Sequence, residues 1–330
     1  MSSPAHGRIV ASRFVPHPLL RGPHAQTVVP TLLRPLPPLD IRVERLELPD
    51  GDFVDLGWCG ATSGRRIAVL VHGLTGGFES KYLRGTAQQL GARGWRCVLL
   101  QLRGGGAEPN RLPRIYHHGD TVDLRFLFHE LKRREPEARL AAAGWSLGAN
   151  VLLKALAEEG AQAPVQAAAA ACAPLDLKHC AEKLRKGTAR VYQQRLLRDL
   201  IGIIGRKHAA VPAPHIDIAR VQRSRDFFDL DDAWTAPLNG FKDALDYYAQ
   251  CSSGQYLRAI QVPTLIVNAR DDPFMTPDIL PTADQLSPQV TLEIARRGGH
   301  VGFIGANRYG GWQFWLETHF AEYLDLAVPA

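Results

Sequence analysis

The chain has 330 residues, 45% hydrophobic and 22% charged, enough for one elaborated domain or two with a sizeable buried core. Its net charge is +6, and only eight of its 39 basic residues are lysine. The densest runs, Lys132-Arg133-Arg134 and Lys183-Leu184-Arg185-Lys186, read as solvated helix faces and are too short for a nucleic-acid tail, so no nucleic-acid partner is expected.

Residues 1–40 carry seven prolines between Pro16 and Pro38. Proline denies ladder and helix hydrogen bonds, so this stretch reads as an extended arm, with Leu19, Leu20, Val28, Val29, Leu32 and Leu33 available to wrap a domain. It contains no apolar stretch fit for a signal peptide. Residues 42–48 alternate apolar and polar, 49–52 form a turn, and 53–59 return, which predicts an antiparallel hairpin at a sheet edge. Ile67–Val71 is continuously apolar, as a strand covered on both faces must be. Further buried strands are read at 96–100, 139–143 and 166–172, with helices at about 81–93, 120–134 and 149–159 between and after them. This alternation predicts a mostly parallel sheet with helices on both faces.

The rhythm breaks over 175–260, where no buried strand is found. There Tyr192, Leu196, Leu200 and Ile204 recur four apart on one helix face. The region reads as a helical cap inserted in the core, so that 41–174 and 261–330 together form the core. Strands resume at 264–267 and 290–294, and an amphipathic helix at about 311–326 closes the chain. The longest apolar run, Val165 to Pro174, is too short to cross a bilayer. The five cysteines, at 59, 97, 172, 180 and 251, form no C-x-x-C pair. They read as reduced, mostly buried thiols in a cytoplasmic protein without a zinc site.

Gly144-Trp145-Ser146-Leu147-Gly148 fits G-x-S-x-G between a predicted strand and a predicted helix, the setting of a nucleophile elbow. Ser146 would stand at a helix N-terminus, where amides favour developing negative charge. A serine needs a base. His300, in Gly298-Gly299-His300-Val301-Gly302-Phe303, follows the last strand on a glycine-rich loop read as mobile and open, and would act as general base and then acid. His319 lies in the terminal helix and reads as a surface residue. The acid comes from Ala269-Arg270-Asp271-Asp272-Pro273-Phe274. Asp272 is preferred over Asp271 because it aligns with the Asp-Pro pair usual at this turn, leaving Asp271 to cap the loop. The oxyanion donors would be the backbone N–H groups of Leu147 and of Leu74, in the loop His72-Gly73-Leu74-Thr75-Gly76-Gly77. His72 reads as a residue that shapes this loop. Tyr116-His117-His118-Gly119-Asp120-Thr121 matches no standard metal spacing, and Asp120 reads as an N-cap. Asn150 reads as a brace between loops. Arg103-Gly104-Gly105-Gly106 lacks the pattern of a dinucleotide site. Neither metal nor cofactor is expected.

The motifs together resemble the YheT-type branch of α/β-hydrolases, bacterial relatives of eukaryotic abhydrolase-domain lipid hydrolases. The likeness rests on Pro23-His24-Ala25-Gln26-Thr27, the 72–77 loop, Arg103-Gly104, the 116–121 cluster and the elbow through Asn150. It also includes Phe228-Asp229, Tyr247-Tyr248, the 271–274 turn and the His300 loop. It implies the α/β-hydrolase fold and carboxylic ester hydrolysis with Ser146, Asp272 and His300 as triad. The expected substrate is a small or medium-chain ester, lipid esters included, with peripheral membrane contact allowed. The competing readings are acyl transfer to an alcohol through the same acyl-enzyme, and a non-catalytic binding protein on the same scaffold.

Overall fold

The protein is described by a computed structural model covering residues 5–330; the first four residues of the arm lie outside that range. The strands are β1 (Arg8–Ala11), β2 (Arg42–Glu47), β3 (Phe53–Gly60), β4 (Arg66–Val71), β5 (Arg96–Gln101), β6 (Arg139–Trp145), β7 (Val165–Ala171), β8 (Thr264–Ala269), β9 (Val290–Ala295), β10 (Ile304–Ala306) and β11 (Trp312–Phe314). The core helices are α1 (Pro23–Leu33), α2 (Lys81–Gly91), α3 (Val122–Arg134), α4 (Leu147–Glu159) and, last in the chain, α11 (Trp315–Ala327). Between β7 and β8 lie α5 (Leu177–Leu184), α6 (Ala189–Ala210), α7 (Ile218–Gln222), α8 (Phe227–Leu230), α9 (Ala236–Asn239) and α10 (Ala244–Cys251).

Nine strands form one sheet in the order β1-β9-β8-β7-β6-β4-β5-β3-β2. β2 pairs antiparallel with β3, and β3 with β5; the remaining neighbours are parallel. The apolar runs are continuous because both faces are covered. Along β4, Ile67, Val69 and Val71 face one core with Leu127 and Phe128 of α3 and Leu152 and Leu156 of α4. Ala68 and Leu70 face the other, with Leu83 and Leu90 of α2 and Phe320 and Leu324 of α11. The centre of the sheet is alanine-rich, Ala141–Ala143 in β6 and Ala167–Ala171 in β7, all fully buried. Alanine is a weak strand former, and these segments are strands because their neighbours pair with them on both sides.

Two differences from the sequence reading concern the ends of the chain. The arm is not extended throughout. Arg8–Ala11 adds a parallel edge strand beside β9, and Pro23–Leu33 is helical. Proline is tolerated at the first helical position, which is where Pro23 sits; Pro30, inside the helix, leaves the Gln26 carbonyl without its helical donor. The closing helix also starts later than residue 311, because 312–314 instead pair antiparallel with 304–306 as a small hairpin.

The 175–260 segment contains no strand among the described residues. It packs its own small cores. Leu197, Ile204, Val221, Leu230 and Trp234 form one, and Ala181, Tyr247, Tyr248 and Cys251 another. A five-residue π-helical turn, Asp231–Thr235, interrupts it.

Candidate active site

β6 ends at Trp145 and α4 begins at Leu147, so the chain reverses within one residue. Ser146 takes that reversal at φ 52°, ψ −119°, a left-handed conformation strained for a residue with a Cβ. The glycines on either side are obligatory. A Cβ at Gly144 would lie 2.5 Å from the Gly148 carbonyl oxygen, and one at Gly148 would overlap the Val71 and His72 carbonyl oxygens. The Ser146 N–H donates to Ala171 O at 2.9 Å, tying the turn to β7 and leaving the hydroxyl over the carboxyl end of the sheet.

His300 and Asp272 reach the serine from loops after β9 and β8. His300 Nε2 lies 2.9 Å from Ser146 Oγ, and His300 Nδ1 lies 2.8 Å from Asp272 Oδ2. An ionised carboxylate only accepts, so Nδ1 carries the proton and Nε2 presents its lone pair to the hydroxyl. Asp272 Oδ1 accepts the Phe274 N–H at 2.8 Å. The Phe274 ring stacks on the imidazole with centroids 4.0 Å apart. Asp271 does not touch the imidazole. Its Oδ1 accepts the Gly299 N–H at 3.1 Å, which closes the histidine loop, and burial raises its pKa.

The histidine loop is clamped rather than open. Its glycines are there for close approach: a Cβ at Gly299 would sit 2.6 Å from Pro23 O, and one at Gly302 would overlap the Gln26 carbonyl that Pro30 leaves free. The His300 N–H donates to Thr27 Oγ1 at 2.9 Å, and the Val301 N–H to Cys172 Sγ at 3.2 Å. Gln26, fully buried, bonds the backbone of Ile304 at both its N–H and its carbonyl. Sequence reasoning missed this brace from the arm. The available signal was a pair of polar residues, Gln26 and Thr27, flanked by apolar ones in a segment otherwise rich in proline.

The amides of Leu74 and Leu147 donate no hydrogen bond among the described residues. Those flanking Leu74 are occupied: Gly73 N–H by the Tyr82 hydroxyl at 2.9 Å and Thr75 N–H by the Tyr116 hydroxyl at 2.8 Å. Leu147 opens a helix of 13 residues, whose first amides have no intrahelical acceptor and favour negative charge.

The other histidines are spoken for. His72 donates from Nδ1 to Gly73 O at 2.7 Å and accepts the Leu102 N–H at 3.1 Å; burial pushes its pKa down to about 4. His117 and His118 are pushed to about 3, chiefly by burial, and His118 shares a 3.0 Å hydrogen bond with the Tyr247 hydroxyl. His319 pairs with Glu293 at 2.8 Å and stacks on Trp315. Asp120 does not cap α3; its carboxylate takes Arg114 at 2.6 Å instead. Asn150 bridges His118 O, Cys251 O and the Ser253 N–H. Cys172, Asp272 and His300 bring a thiol, a carboxylate and an imidazole nitrogen within 4.8 Å of one another, and each is already engaged in the bonds above. All five cysteines are free thiols, four of them buried.

Above Ser146 lies a pocket with about 840 Å³ of empty space, its open mouth included, lined by both core and cap. Its walls are mostly apolar: Leu74, Ile115 and Met275 from the core, Leu177, Leu196, Leu200, Ile204 and Trp234 from the cap. Asp231 is an exception. It is buried, receives hydrogen bonds from the Thr235 hydroxyl at 2.6 Å and the Tyr248 hydroxyl at 2.7 Å, and burial pushes its pKa up to about 6.

Residues 69–306 match the family model of the α/β-hydrolase fold. The chain is 41% identical to YheT of Escherichia coli (strain K12), provisionally named an esterase, over 97% of this chain and 95% of that protein. It is 30% identical to mouse phospholipase ABHD3 over 83% of this chain and 70% of the relative. A crystal structure of the Pyrococcus furiosus esterase Pf2001 superposes with a TM-score of 0.57 at 14% identity, covering 97% of this chain and 98% of the other, which shows a shared fold. No helix among the described residues is long and apolar enough to cross a membrane.

Proposed function

The chain belongs to the YheT branch of the α/β-hydrolase family and is a hydrolase of esterase type; on that premise we propose that it cleaves small or medium-chain carboxylic esters, lipid esters among them, through an acyl-enzyme on Ser146. The observation that carries the proposal is the continuous chain of hydrogen bonds from Asp272 through His300 to Ser146, at 2.8 and 2.9 Å.

The steps follow from that chain. As Ser146 Oγ bonds to the ester carbonyl carbon, its proton passes to His300 Nε2. The resulting imidazolium is stabilised by Asp272, which holds Nδ1–H. The carbonyl oxygen becomes an anion, and the unoccupied amides of Leu74 and Leu147 are its donors; removing one such donor typically costs a factor of about 10²–10³ in rate. His300 returns its proton to the departing alkoxide, releasing the alcohol. Water, deprotonated by the same nitrogen, then attacks the acyl-serine and frees the acid. The apolar pocket receives the ester's hydrocarbon chain.

The test is covalent labelling with a fluorophosphonate together with p-nitrophenyl ester turnover over a series of chain lengths. Wild type is expected to label at Ser146 and turn over. Ser146→Ala is expected to lose labelling and to lose turnover by a factor on the order of 10⁶. Undiminished hydrolysis in that variant would overturn the proposal. Product analysis with excess alcohol separates hydrolysis from acyl transfer, since an acyl-enzyme accepts either nucleophile.

A further inference from the structure

The positive charge of this protein is concentrated on one part of the cap. Residues 183–225, from the end of α5 through α7, hold eleven lysines and arginines against Asp199 and Asp217, a net of +9. The whole chain is +6, so everything else sums to −3. Three of the eleven are paired: Arg185 with Asp226, Arg195 with Asp199 and Arg225 with Asp229. Lys207 is buried and donates to the Asn110 carbonyl. Lys186, Arg190, Arg198, Arg206, Arg220 and Arg223 are exposed and have no carboxylate partner within 4.0 Å among the described residues.

The placement within α6 carries the argument further. Steps of four, three and eight residues put Val191, Arg195, Arg198 and Arg206 within one stripe of that helix, and all four are exposed. Val191 is 68% exposed. The opposite face supplies Leu196, Leu200 and Ile204 to the pocket. At the start of α6, Tyr192 packs on Phe274, which stacks on His300. Tyr192 and Thr188 also hold His24 of the arm, which presents exposed apolar side chains of its own, Leu19 at 85% and Leu32 at 67%. One helix is thus the roof of an apolar pocket on one side and a basic ridge with the exposed Val191 on the other, and its first turn holds the arm that carries Leu19 and Leu32.

We infer that the outer face of α6, with its flanks over 183–225, docks on an anionic lipid bilayer. This rests on the esterase reading and names the surface from which an apolar ester is drawn. Unpaired arginines are attracted to the negative surface potential of such a bilayer, and exposed apolar side chains beside them enter the headgroup region. A nucleic acid would use the charge but not Leu19, Leu32 and Val191.

The test is co-sedimentation of the full chain with vesicles of equal parts phosphatidylcholine and phosphatidylglycerol, against phosphatidylcholine alone. Binding is expected to the first and not the second, and to fall as salt rises to about 1 M, where charges are screened beyond roughly 3 Å. Each arginine removed should weaken partitioning about fivefold, so Arg198→Gln with Arg206→Gln should weaken it about twenty-fivefold. The same variant should hydrolyse a water-soluble short-chain ester, without vesicles, at the wild-type rate, which shows that it is folded. Equal binding to both vesicle types, or unchanged binding of the variant, would overturn the inference. So would displacement from the vesicles by a DNA duplex at matched charge, which would make nucleic acid the occupant. Ser146→Ala that sediments normally but does not label would separate this surface from the chemistry beneath it.

Discussion

Four of the six helices of the cap begin differently from the helices of the core; α6 and α9 start, like the core helices, without a side-chain cap. In the cap, Asp176, Asp217, Asp226 and Asp243 each accept the N–H three residues on, so α5, α7, α8 and α10 are closed locally by their own side chains. In the core, none of α2, α3, α4 and α11 has a side-chain cap. Their starts are set by the strand or loop that delivers them and by the apolar face each buries on the sheet. Such a cap takes the amide three residues on; at α4, where Ser146 is the N-cap residue, no side chain takes any amide of the first turn. Local closure suits helices of four to eight residues, which cannot hold themselves by propensity; dependence on the sheet suits a site whose parts come from four separate loops.

The comparison breaks first if the core site does not depend on its loop-borne acid. Asp272→Asn should keep the geometry but present the wrong imidazole tautomer to Ser146, and kcat should fall by about 10⁴. Asp271→Asn, which loses only the bond to the Gly299 N–H, should cost far less. Stopped-time assays on a p-nitrophenyl ester check both, and equal losses would place Asp271 in the site.

The next effect concerns how the core loops are held. Arg103, 1% exposed, bonds Asp123 at 2.6 and 3.0 Å, Asp50 at 2.8 Å and Asp52 at 3.1 Å. It joins the β2–β3 turn, the loop after β5 and α3. Arg103→Ala would strand Asp52 and Asp123 as buried charges, and urea unfolding should show a loss of about 3–5 kcal/mol. The Arg103-Gly104 pair, visible in sequence only as a motif of the resemblance, thus has a structural role that no periodicity announces.

The same contrast explains what was legible. The strands now β2 to β9 were readable because a strand buried on both faces is a continuous apolar run and an edge strand alternates. The serine, the acid pair and the histidine were readable because a sharp turn after a strand confines the residue types it can hold. β1 was not, since Arg8–Ala11 is exposed along its length and is a strand only because β9 offers it an edge. Nor was α1, whose prolines argue against a helix that its tertiary contacts nonetheless support. Gln26 and Thr27 stand out only as two polar residues between apolar ones; their role exists only once the His300 loop is packed on them. The capping aspartates of the cap were present in the sequence, but a search for apolar period passes over them.

A smaller effect separates the cap from the core by pH. Asp231 has its pKa pushed up to about 6 from an ordinary 3.8, with burial the leading cause. Its neutral form is the one the fold favours. The stability this contributes is therefore full below about pH 4 and is lost as pH rises through about 6, with a ceiling of about 3 kcal/mol. Asp231→Asn cannot ionise, so the difference in melting temperature between variant and wild type should favour the variant increasingly from pH 5 to pH 8. A difference independent of pH would mean that Asp231 is charged throughout.

The finest test substitutes one leucine in each region. Leu152 of α4 is fully buried in the core beside β4, and Leu152→Ala should cost about 2–5 kcal/mol by leaving a cavity the sheet cannot collapse. Its ratio of activities on long and short esters should not move, because the side chain does not face the pocket. Leu200 of α6 lines the pocket and packs in the small cluster the cap forms over Ile115 and Leu74. Leu200→Ala should lengthen the space available to the ester chain. One methylene in an apolar pocket is worth roughly 1–3 kcal/mol, so kcat/KM for a longer ester should rise about tenfold relative to a shorter one. The two variants should differ in kind. If Leu200→Ala lowers the melting temperature as Leu152→Ala does and leaves the chain-length profile unchanged, α6 is packed as a core helix, and the selectivity assigned to the cap belongs to the loops beneath it.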